Sequence, residues 1–135
     1  MARTRHSRRA ALSSWRLRLA ARAALLLEVA GIAWLASFGH VQQAQIQSVI
    51  LGGDKAAHSL AFLVTGVTAS LASRSPIRSA LVLAAVAGGV EILQAFVPGR
   101  TASVLDLVAS LAGIAAGLSL GAALWPILLK RRATS

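Results

Sequence analysis

Four apolar stretches, at about residues 20–38, 56–72, 79–97 and 104–129, decide most of what this chain can fold into. As helices rising 1.5 Å per residue they would reach roughly 25 to 39 Å, against about 30 Å of bilayer hydrocarbon. The whole chain has 135 residues, which leaves room for one domain. Only 13% of them are charged and the mean hydropathy is +0.70, whereas soluble domains carry about 25% charged residues. The expected fold is an all-α integral membrane protein, a bundle of four transmembrane helices over 20–129. Basic tails lie on either side, at 1–19 and 130–135.

A net charge of +10 would point to nucleic acid in a soluble protein. Its distribution argues otherwise. Seven of the fourteen cations, from Arg3 to Arg22, precede residue 23. Lys130, Arg131 and Arg132 close the chain, Arg74 and Arg78 flank the turn between the second and third stretches, and Lys55 and Arg100 remain. Confinement to ends and turns is the pattern of membrane topology signals, and it sets both termini in the cytoplasm. No aromatic or Gly-rich recognition motif accompanies the arginines, so no nucleic-acid partner is expected. The basic segment 1–19 reads as an irregular tail, or as an interfacial helix carrying Leu12, Trp15 and Leu19 on one side. Arg8-Arg9 superficially resembles a twin-arginine signal, but Arg16, Arg18 and Arg22 interrupt what would be its apolar region.

With this topology the connections at 39–55 and 98–103 face outward, the first rich in glutamine. Polar residues then gather near one leaflet. Asp54 and Lys55 start the second helix and His58 follows one turn later. Glu91 and Gln94 share a face of the third, Arg100 sits in the turn, and Asp106 opens the fourth. Buried charges in a bilayer cost several kcal/mol unless paired or wetted.

Each member has a plainer reading. Asp54 can cap a helix, Ser103-x-x-Asp106 resembles a capping box, Lys55 can snorkel, and His58 can be a hydrogen-bonded core residue. Glu91 resists this, since no cap needs an acid there, and an ion pair with Arg100 or His58 is its simplest structural role. Glu28 lies deeper, in the first span, where Arg22, a neighbouring helix or protonation would accommodate it. Gly113, Gly117 and Gly121 form a small-residue ridge, for packing within the bundle or for contact between copies.

The chemistry available is limited. With no cysteine there is no disulfide, thiolate metal site or cysteine nucleophile. One histidine among carboxylates is a weak metal signature, so neither a metal nor a cofactor is expected. An acid and base pair, Glu91 or Asp106 with His58, suits proton transfer on a head group, with Arg100 and Lys55 holding phosphate.

The set Asp54-Lys55-x-x-His58, Glu91-x-x-Gln94, Arg100, Asp106, Ser110, Gly113 and Gly117 resembles the VanZ-like family of small bacterial membrane proteins, named for an accessory glycopeptide (teicoplanin) resistance protein. The family's pattern has Asn where Ser110 stands. A serine is shorter and lacks the amide, so an interhelical bond there is expected to be lost or bridged by water. The resemblance implies a multi-pass protein of the bacterial cell membrane, linked in some members to glycopeptide susceptibility.

Three readings follow. In the first, a polar pocket engages a lipid or a lipid-linked cell-wall precursor, with His58, Glu91 and Asp106 as its reactive groups and Asp54, Lys55, Gln94, Arg100 and Ser110 as its binding groups. In the second, the same residues only lock the helices of a scaffold subunit. The third is a small oligomeric proton- or ion-coupled carrier, suggested by Glu28 and Glu91 at different depths.

Overall fold

The computed structural model describes residues 2–38, 53–98 and 100–133. Among these it has four helices: α1 (Ala2–Phe38), α2 (Gly53–Ala72), α3 (Pro76–Ala95) and α4 (Val104–Ala133). The glutamine-rich connection lies outside the described residues.

Local chemistry fixes the ends. Gly53 has φ +67°, a left-handed conformation that a side chain would disfavour, immediately before the acid that opens α2. At α3, Ser75 is the N-cap, its side chain accepting from the Arg78 N–H at 3.3 Å, with Pro76 following. Proline suits a first turn because its missing N–H would be unpaired there anyway. The helix thus begins three residues before the apolar run that announced it. At α4, Ser103 Oγ accepts from Asp106 N at 3.3 Å.

Two boundaries depart from the sequence expectation. The basic segment continues α1 without a break, 37 residues in all, because its Arg, Ala and Leu residues are good helix formers. Pro126, expected to kink or end the last helix, lies inside α4, which continues to Ala133. In hydrocarbon, unwinding there would strand further backbone groups, whereas the proline removes one hydrogen bond.

Three helices are long and apolar enough to cross a membrane: α1 over Trp15–Ser37, α3 over Pro76–Ala95 and α4 over Val104–Leu128. α2, expected as a fourth span, falls short because Asp54, Lys55 and His58 occupy its first two turns. It packs instead against all three others, most extensively against α4.

The α2–α4 contact explains the glycine ridge. A Cβ at Gly113 would run into the Ser59 carbonyl oxygen, one at Gly117 into the Leu63 carbonyl oxygen, and one at Gly121 would lie 2.6 Å from Ser70 Cβ. All three glycines are buried. The ridge packs within the chain, against α2.

The distribution of side chains is inverted relative to a soluble protein. Leu27, Phe96 and Val104 are 75%, 82% and 78% exposed, while Glu91 and Asp106 are 7% and 5% exposed. Apolar residues outside and polar ones inside are what a lipid solvent selects. Glu28 follows this rule: it points to a neighbouring helix, where Thr68 Oγ1 donates to its Oε1 at 2.9 Å.

Candidate functional site

His58, 8% exposed on the second turn of α2, is the centre of a cluster drawn from three helices. Its Nδ1 lies 3.2 Å from Ser110 Oγ on α4 and 3.7 Å from Glu91 Oε1 on α3. Its Nε2 lies 3.9 Å from Asp54 Oδ1, one turn earlier on α2. Ser110 Oγ donates to the Asp106 carbonyl at 2.9 Å. A hydroxyl has one hydrogen, so toward the ring Ser110 is an acceptor, and Nδ1 carries the proton.

The bond expected to be lost at Ser110 is therefore made directly. The glycines one and two turns further along α4 bring the helix backbones close enough for a short hydroxyl to span the gap. Ser110→Ala is expected to lower stability by about 1–2 kcal/mol, the worth of a buried hydrogen bond and the exposed need it leaves on His58. Unfolding in mixed detergent micelles measures it.

Glu91 uses its two oxygens differently. Oε2 accepts from the backbone N–H of Ser103 at 2.8 Å, at the start of α4. Oε1 faces His58 and makes no hydrogen bond among the described residues. Of the two ion-pair partners expected for Glu91, His58 is in place and Arg100 is not. Arg100 turns to α1, donating to the Leu35 carbonyl at 3.5 Å, a weak contact. The Ser103 N–H was not among the expected partners, although the Ser103-x-x-Asp106 cap signals a helix start whose free N–H groups attract a carboxylate.

Asp106, whose backbone N–H is capped by Ser103, turns its side chain toward α2. Its Oδ1 lies 3.6 Å from Lys55 Nζ, the lysine side chain being 54% exposed and the acid 7%. Donor atoms of Asp54, His58 and Asp106 fall within 4.8 Å of one another, close enough to share a metal ion. Although no metal was expected, the donor types suit one; the Lys55 ammonium already brings a positive charge to the same carboxylate.

A cavity of about 110 Å³ opens beside the ring, between α1, α2 and α3. His58, Gln94 and Arg100 are its polar wall, and Ile32, Leu35, Phe62 and Val90 line the rest. All eight residues singled out in the sequence thus lie in this cluster or on this wall.

No curated protein and no solved structure matches the chain. The family profile described as VanZ/LLP1 matches residues 7–129, which takes in most or all of each helix and every residue of the cluster. With its inverted side-chain distribution and three membrane-length helices, the chain is a membrane protein belonging to the VanZ/LLP1 family.

Proposed function

We propose that the cavity beside His58 receives the head group of a membrane lipid or lipid-linked cell-wall precursor, in the outer leaflet of the bacterial cytoplasmic membrane. One observation supports this above others: polar side chains from α2, α3 and α4 meet at one end of an apolar bundle, beside a cavity with apolar walls. Such a space accommodates an amphiphile, its polar atoms against His58, Gln94 and Arg100 and its chain along Leu35 and Phe62. Arg100 and Lys55 offer charge to phosphate, while Asp54 accepts from amine or sugar hydroxyl. Where turnover occurs, His58 with Glu91 or Asp106 moves the proton. The outward orientation rests on the arginines, which cluster at the other end of the bundle. Acting on a cell-wall precursor, the pocket would modulate glycopeptide susceptibility.

The test is mass spectrometry of lipids retained on purified wild type and Glu91→Gln. The variant keeps the side-chain shape and removes the charge. Glu91 meets the cavity only through His58, 3.7 Å away, so the variant is expected to lower lipid retention several-fold by releasing that ring. An identical lipid profile on two folded proteins refutes the pocket. The scaffold reading has its own support, since Glu91 ties α3 to α4 through Ser103 and His58 ties α2 to α4. It predicts lowered stability in the same variant with the lipid profile unchanged.

A further inference from the structure

The opposite end of the bundle carries a larger cavity, of about 760 Å³, between α1, the end of α2 and the start of α3. Arg18, Arg22, Arg74 and Arg78 line it. None of the chain's four acidic side chains does: Asp54, Glu91 and Asp106 belong to the His58 cluster, and Glu28 is bonded to Thr68. Four guanidinium groups without a carboxylate among them form a positive cavity that is incomplete until an anion enters.

Arg18 bears this out in detail. Its guanidinium lies over the Trp125 ring, 4.3 Å from the centroid, a cation–π contact that holds the group in place. Its Nε and one terminal nitrogen are buried and have no hydrogen-bond partner among the described residues. Two buried donors without a partner call for acceptor oxygens, such as those that surround a phosphate. A second cavity, of about 280 Å³, shares Arg18 and Arg74 with the first, so the guanidinium stands on their common wall. Arg22 is anchored at the cavity's edge by donating to the Ala72 carbonyl at 3.3 Å. Ser75 and Ser79, at the start of α3, add hydroxyls and the positive end of a helix. Leu25, Val82 and Leu83 complete the lining with an apolar surface.

We infer that this cavity is a binding site for the phosphodiester of an anionic phospholipid, held by the four arginines with an acyl chain along Leu25 and Val82. The lipid is anionic because no carboxylate is present to receive the amine of a zwitterionic head group. The site is separate from the one beside His58, about 20 Å away along α2 at 1.5 Å per residue.

Native mass spectrometry of the full chain tests it, with phosphatidylglycerol, phosphatidylethanolamine and inorganic phosphate as probes. Wild type is expected to retain one phosphatidylglycerol through delipidation that strips phosphatidylethanolamine. Arg74→Gln with Arg78→Gln, at exposed positions, should weaken retention roughly 30-fold, as two arginines near an anionic surface are worth, with the unfolding midpoint unchanged. Arg18→Gln should abolish it. Retention unaltered in the double variant, equal retention of the two lipids, or displacement by millimolar inorganic phosphate each overturns the assignment. Because Glu91→Gln leaves this cavity untouched, it should keep its phosphatidylglycerol whatever becomes of the other site.

Discussion

Gly117→Val is expected to destabilise the bundle by more than about 3 kcal/mol, beyond the usual 1–3 kcal/mol of an overpacked core. The reason is the kind of atom in the way. A Cβ there meets the Leu63 carbonyl oxygen and, at 2.9 Å, the Gly66 Cα. Both are backbone, so relief requires α2 and α4 to move apart rather than a side chain to turn. Against a total of about 5–15 kcal/mol, such a loss should be visible as a large drop in the unfolding midpoint in mixed micelles. Gly88→Ala and Gly89→Ala are the controls. They lie in α3 with nothing within 4 Å of an added Cβ, and removing a helix-interior glycine should gain up to about 1 kcal/mol each. Equal effects at all three positions would contradict the packing described.

His58→Leu should have the second largest effect, about 1–3 kcal/mol, the cost of leaving buried polar groups without their partner. The leucine fills much of the space but leaves Glu91 Oε1 facing an apolar group and Ser110 without its interhelical partner. Adding Glu91→Leu removes the stranded carboxylate, so the double variant is expected to recover part of the stability. The coupling in that cycle should be about 1–3 kcal/mol. Additive losses would mean that the 3.7 Å approach of the two groups has no energetic content.

The polar cluster was legible because a bilayer makes acids conspicuous: with so few in the chain, each had to be placed, and helix spacing put His58 one turn from Asp54 and Glu91 on one face with Gln94. What the sequence could not convey was distance between helices. Ser110 looked too short for its position because the shortfall was judged without the approach that Gly113 and Gly117 allow. Arg100 was one of two partners offered to Glu91 by charge alone, whereas the Ser103 N–H, a backbone donor that no side-chain pattern displays, occupies one of the acid's oxygens. α2 was taken as a span by length. Its polar first turns lower its hydropathy, and its place among the other helices became apparent only in three dimensions. The anion cavity was hidden for a similar reason: the arginines were read as topology signals, one by one, and their encirclement of a common space depends on how α1 lies against the α2–α3 turn.

α1 is held differently from its neighbours. Among its described residues only Ala21 and Ala36 are buried, with Leu25 and Ile32 packed partly buried against the core, and polar contacts add to this: Glu28 to Thr68, Arg22 to the Ala72 carbonyl and the Leu35 carbonyl to Arg100. Yet Ile32, Leu35 and Ala36 form one side of the space beside His58. A door hung on a few hinges, with few large side chains to disengage, would give the amphiphile we propose a sideways entry from the surrounding lipid, with no need to pass through water.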